Sequence, residues 1–178
     1  MAALAVGVTL LVAGCTDGSS PKPSPLPTVT ASSSSSATPS APAMPAEAKG
    51  TSAASAKAFV RFYIATVNYA TSTGDSQRLR ELDDGKCVSC AGIAKRIDDV
   101  YSAGGRIEST GWTVSSMTVV PGPPKTPLVD VGLSLPPQQV TKRSGTKPVR
   151  FKGGRLPVTF RLAATPTGWV VNEWERAA

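Results

Sequence analysis

The chain has 178 residues, 19 Lys and Arg against 12 Asp and Glu, a formal net charge of +7, and no histidine. The missing histidine excludes Ser-His-Asp and Cys-His catalysis, imidazole metal ligation and histidine-based pH switching. The length allows one ordinary domain, or a smaller domain with tails. Sixteen prolines beside sixteen glycines, with only 17% charged residues, put part of the chain outside any packed core.

Residues 1–14 are mostly apolar and carry no charge. About twelve apolar residues are too few to cross a hydrocarbon core of about 30 Å as a helix, which needs about twenty. They suit the apolar part of an export signal. Such a signal normally opens on Lys or Arg, and Met1-Ala2-Ala3-Leu4 has neither, so either the start lies upstream or the signal is short. Val12-Ala13-Gly14-Cys15 resembles the bacterial lipobox, a branched residue and two small ones before a cysteine. The resemblance implies cleavage before Cys15 and acylation of its thiol. About thirty buried methylenes at about 0.8 kcal/mol each would then hold the protein to the membrane. The expected location is the extracytoplasmic face of a cell membrane, anchored by lipid at Cys15.

Residues 15–54 are dominated by Ser, Pro, Thr and Ala and have no aromatic residue. Such a segment buries too little apolar area to offset its ordering entropy. It is expected to be a disordered tether with polyproline II bias.

Residues 55–178 carry the periodic patterns of a single core. Phe59, Val60, Phe62, Tyr63, Ile64 and Val67 predict an amphipathic helix over residues 55–72. Gly74 is its expected stop, and Asp75 the N-cap of a short helix bearing Leu79 and Leu82. A third helix is predicted over residues 88–102, ended by Gly104-Gly105. The period then changes to two. Strands are predicted over residues 111–120, 128–140, 149–163 and 168–175, separated by Pro and Gly clusters. Alternation in the second and third strands gives each one buried face. The fold class is α+β, with N-terminal helices packed on one face of a four-stranded antiparallel sheet.

This order, with Thr73-Gly74-Asp75, Leu79, Leu82 and the closing Gly168-Trp169-Val170-Val171, resembles the NTF2-like (SnoaL-like) cone fold, whose sheet is curved. Phe62-Tyr63, Asn68-Tyr69-Ala70, Thr73-Gly74-Asp75, Cys87-x-x-Cys90 and Tyr101-x-x-Gly104-Gly105 resemble an uncharacterised family of actinobacterial lipoproteins. That family is a domain of unknown function, so the resemblance implies a location and a fold but no activity.

Several constellations could carry chemistry. Cys87 and Cys90 lack the further ligands a zinc site needs. A structural disulfide suits an exported chain, and a redox pair or a reduced state are the alternatives. Asp75, Asp83, Asp84, Asp98, Asp99 and Asp130 are candidate acids, with Asp130 expected outside the cone. Tyr63, Tyr69 and Tyr101 are candidate hydrogen-bonding groups or plain packing residues. No cofactor is expected. Between Asp130 and Glu173 the chain has no acidic residue. Lys142, Arg143, Lys147, Arg150, Lys152 and Arg155 there form a candidate surface for anionic lipid or wall polymer, with a merely solvated basic face as the alternative. Nucleic acid does not suit an exported protein. The expectation is a membrane-anchored envelope lipoprotein whose domain binds a small apolar ligand or a partner protein without catalysis. The alternatives are a cone-fold isomerase or dehydratase and a structural wall protein.

Overall fold

The computed structural model describes residues 39–120, 123 and 125–177. The apolar leader, Cys15 and most of the Ser/Pro-rich segment lie outside the described residues. Packing of the domain starts before residue 55, earlier than composition predicts. A single 3-10 turn, Ala46–Ala48, leaves Ala48 buried, and Met44 packs against the core. One Met and one Ala among Pro and Glu give no periodic signal, so this docking is invisible in the pattern.

Helix α1, Ala53–Thr73, starts at Ser52, whose Oγ accepts from the Ser55 N–H at 3.1 Å. It stops at Gly74, which takes φ 81° and donates to the Ala70 carbonyl. A side chain at Gly74 would collide with the Tyr101 ring, so left-handed backbone and close packing both require glycine here. Helix α2, Gln77–Arg80, is one turn long. Ser76, not Asp75, holds its N-cap position, while Asp75 Oδ1 accepts from the Gln77 N–H in the adjoining turn. Helix α3, Val88–Ser102, has Cys87 as its N-cap and buries Cys90, Ala94, Ile97 and Val100.

Seven strands follow: β1 Arg106–Glu108, β2 Thr113–Val120, β3 Leu128–Leu135, β4 Gln138–Thr141, β5 Val149–Phe151, β6 Gly154–Thr165 and β7 Gly168–Arg176. They form a four-stranded antiparallel sheet ordered β2-β3-β6-β7 and a three-stranded one ordered β1-β4-β5. The helices pack on the curved sheet, as the α+β reading expected. Two strands read as continuous from the alternation are each broken. The 128–140 stretch breaks at Pro136-Pro137, two residues that cannot donate to a ladder. The 149–163 stretch breaks at Lys152-Gly153. A Cβ at Gly153 would strike the Leu135 carbonyl and the Pro136-Pro137 backbone. Both strands therefore turn at one place, and their outer halves leave the main sheet to build the second. Strand β1 carries too short a pattern to be read.

The core lies between α1 and the four-stranded sheet. Val129, Val131 and Leu133 of β3 and Val158, Phe160 and Leu162 of β6 are all buried. Tyr63 meets Phe160 edge-on at 5.6 Å, and Phe160 stacks on Trp174 at 5.9 Å. Trp169 Nε1 donates to Ser55 Oγ at 3.1 Å, tying β7 to the start of α1.

Candidate functional site: two adjoining cavities beside the second sheet

The last turns of α3 and the three-stranded sheet enclose a groove of about 720 Å³. Val100, Ile107, Val140, Val149 and Phe151 give it apolar walls, and Arg96, Lys142, Arg143 and Lys147 stand around it. Val149 and Phe151 are 42% and 45% exposed, unusual for large apolar side chains on a strand. The groove is positioned by the turn after α3. Gly104 N–H and Gly105 N–H donate to the Tyr101 and Val100 carbonyls, and Ser144 N–H donates to the Ala103 carbonyl. A Cβ at Gly105 would overlap the Thr141 carbonyl, so only glycine lets the end of α3 sit this close to β4.

A second cavity of about 380 Å³ lies alongside, deep in the sense that its walls are less exposed than those of the groove. Ile93, Ile97, Trp112, Leu135, Leu156 and Trp174 dominate its wall. It shares Arg96, Ile107 and Gln138 with the groove, so the two adjoin. Its tryptophans are held by polar contacts. Asn68 Nδ2 donates to the Trp112 carbonyl at 2.9 Å, and Trp112 N–H donates to Asn68 Oδ1 at 2.7 Å. Ser89 Oγ donates to the Trp174 carbonyl at 2.6 Å. The Asn68-Tyr69-Ala70 and Cys87-x-x-Cys90 motifs thus border the two supports of this cavity.

Charge in the groove is uneven. Asp99 is its one carboxylate, and Lys95 already holds it at 2.7 and 2.8 Å. Among the described residues, none of Arg96, Lys142, Arg143 and Lys147 makes an ion pair. The deep cavity has no carboxylate in its wall. Among the described residues, two buried polar atoms lack hydrogen-bond partners in this region, Nε1 of the wall residue Trp174 and Oη of Tyr63. Burial pushes the Tyr63 phenol up, and the charge of Asp83 adds to this. Trp174 offsets part of the rise without meeting hydrogen-bond geometry.

The other candidate acids have fixed partners away from the deep cavity. Asp75 accepts from Tyr69 Oη at 3.1 Å, and Asp130 accepts from Thr159 at 2.7 Å on the exposed face of the sheet. Asp83 accepts from the Gly85 N–H. Asp84 is held below the usual carboxylate range by the Lys86 N–H and by Asn172. For Asp98, burial works upward, but Ser76 and Arg80 outweigh it and lower the carboxyl. Tyr101 Oη donates to the Thr71 carbonyl at 2.8 Å and serves packing between α1 and α3.

Cys87 and Cys90 are joined in a disulfide and are both buried at the head of α3. The six basic residues read from the acid-free interval divide. Lys142, Arg143 and Lys147 line the groove. Arg150 lies between Val149 and Phe151, so strand alternation turns it to the other face. Lys152 sits in the turn before β6, and Arg155 lines a separate hollow of about 460 Å³ with Ser115, Ser116 and Gly132. Sequence reading missed Arg96, Ile107, Val149, Phe151, Trp112 and Trp174. Val149-Arg150-Phe151 was a legible period-two signal, and its phase is opposite to that of Val158, Phe160 and Leu162, which marks the break at Lys152-Gly153.

A family model matches residues 29–133, more than half of the chain. The chain belongs to a family of unknown function (DUF6318). No curated protein matches it. Among solved structures, it is similar to the intermembrane space region of the chloroplast protein ARC6. That pair is 15% identical with a TM-score of 0.54, covering 72% of this chain and 98% of that one. An NTF2-like protein with a cystatin-like fold from Novosphingobium aromaticivorans is 18% identical with a TM-score of 0.43, covering 68% of this chain and 80% of that one. A putative Ca/calmodulin-dependent kinase II association domain from Exiguobacterium sibiricum is 11% identical with a TM-score of 0.47, covering 72% and 96%. At these identities the likeness is one of fold alone.

Proposed function

We propose that this DUF6318 protein is a cell-envelope lipoprotein whose folded domain is a non-catalytic binding module for a small ligand. The observation that carries the binding reading is the pair of adjoining cavities. Each has a volume within the range of about 300–1,000 Å³ common to ligand sites, and both have mostly apolar walls. Among the described residues the deep wall offers no carboxylate, so the groups present favour retention of a ligand over proton transfer. The envelope reading is supported by Val12-Ala13-Gly14-Cys15, by the Ser/Pro/Thr composition behind it, and by a cysteine pair that suits an oxidising compartment. In this reading Cys15 carries lipid at the outer membrane face and the following segment spaces the domain from it.

Two measurements test the proposal. Cys15→Ser should move the exported protein from the membrane fraction to a soluble one, and unchanged retention would contradict anchoring at Cys15. Native mass spectrometry of protein gently extracted from its host should show a co-purifying small molecule. Failure of any small apolar compound to bind would contradict the module.

A further inference from the structure

The two cavities differ in kind along one path. The deep one is walled by Trp112, Trp174, Leu135 and Leu156, and the outer groove is ringed by cations. Arg96 and Ile107 line both. A neutral apolar ligand would have no use for four cations without ion-pair partners at the mouth. An inorganic anion would leave the apolar walls wet. We infer that the adjoining cavities take a single-chain anionic amphiphile. Its headgroup lies among Arg96, Lys142, Arg143 and Lys147, and its chain passes over Ile107 toward Trp112 and Trp174. The inference rests on the binding-module reading and adds a ligand class and a direction of entry.

Three observations favour an anionic head at this mouth. The one carboxylate there is already neutralised by Lys95. The carbonyls at the end of α3, whose partial negative charge would oppose an anion, already accept from Gly104, Gly105 and Ser144. Lys142, Arg143 and Lys147 all come from the β4–β5 turn, and Arg96 faces them from α3, so an anion is approached from two elements. Val149 and Phe151, half exposed without a ligand, would be covered by the first methylenes of the chain. Carboxylate and phosphate heads share this chemistry.

The test uses the full chain carrying Cys15→Ser, titrated with dodecanoate, monododecyl phosphate, dodecanol and octanoate and read by tryptophan fluorescence. The account expects saturable binding of both anions, with whichever binds tighter naming the head. Dodecanol should bind about tenfold more weakly, since bonds to charged groups contribute on the order of 1.5–3 kcal/mol. Octanoate should also be weaker, because it buries four fewer methylenes. The double variant Lys142→Ser, Arg143→Ser should raise Kd for dodecanoate about tenfold. The charge-matched control Arg150→Ser, Lys152→Ser should leave it unchanged. Equal loss in the control would overturn the headgroup site in favour of a general field effect. Equal affinity for dodecanol would overturn the anionic assignment while leaving the binding module standing. Binding to anionic vesicles without uptake of any monomer would overturn the inference, and no binding at all would remove the module with it.

Discussion

The two sheets share two stretches of chain, β3–β4 and β5–β6, and the halves of each stretch differ in burial. In the main sheet, β3 and β6 bury Val129, Val131, Leu133, Val158, Phe160 and Leu162 under α1. A few residues further along the same stretches, β4 and β5 leave Val140 half-buried and Val149 and Phe151 exposed. Hydrophobic residues thus stabilise the fold in one half and are left uncovered in the other. The switch between these roles is mechanical. Pro136-Pro137 cannot extend the ladder, and Gly153 lets the chains cross closely there. The difference shows that an alternating apolar pattern reports a face and does not say what covers it.

The largest expected effect comes from treating matched aromatics in the two halves alike. Phe160→Ala should cost about 3–5 kcal/mol in urea unfolding, as for a fully enclosed ring. Phe151→Ala should stay within about 0.5 kcal/mol, as for a surface change. Similar losses in both would erase the distinction. Next is the disulfide. It closes a very short loop, so replacing both Cys87 and Cys90 by Ala should cost about 2 kcal/mol on the chain-entropy estimate. That loss should loosen the start of α3 without altering β4–β5, which can be followed by residue-level hydrogen exchange.

Tyr63 gives a smaller and opposite effect. Its buried hydroxyl has no partner, so Tyr63→Phe should stabilise by about 1 kcal/mol at pH 7. The sign of its pH dependence follows from the raised phenol. Stability is fully present below the ordinary value of 10.0 and is lost as pH rises above it toward the folded value. The Phe variant should lack that alkaline loss, measured as thermal midpoints across alkaline pH. The smallest effect lies on the acid side. Asp84 and Asp98 are lowered from 3.8, so their contributions are present above that pH and fade as pH falls below it. Ser76→Ala should make the acid loss shallower, and an unchanged acid limb would remove Asp98 from this account.

Much of the domain was legible in the sequence. The third helix was read at its observed bounds because its stripe is bounded by Cys87 and Gly104-Gly105. The first helix was legible from Phe59 to Val67 and from the stop at Gly74. Alternation gave the buried faces of β3 and β6 directly. The outer halves of those strands were not legible as strands of a second sheet, although Val140, Val149 and Phe151 fall out of phase with buried Val129, Val131 and Leu133 and with buried Val158, Phe160 and Leu162. The basic residues near the site were found as a composition bias. Only the geometry separates Lys142, Arg143 and Lys147, at the groove, from Arg150, Lys152 and Arg155, away from it. Arg96 could not be read at all, because an exposed arginine on a helix has no pattern until the β4–β5 turn is seen opposite it.

The central claim is that the half-covered second sheet is a binding surface and the covered main sheet is not. Amide chemical-shift mapping during a dodecanoate titration tests it most directly. The account predicts shifts concentrated in Gln138–Thr141, Val149–Phe151, the last turns of α3 and the indoles of Trp112 and Trp174, with β3 and β6 nearly still. Shifts spread over the outer face of β2-β3-β6-β7, or none in β4, β5 and the two indoles at saturation, would contradict it.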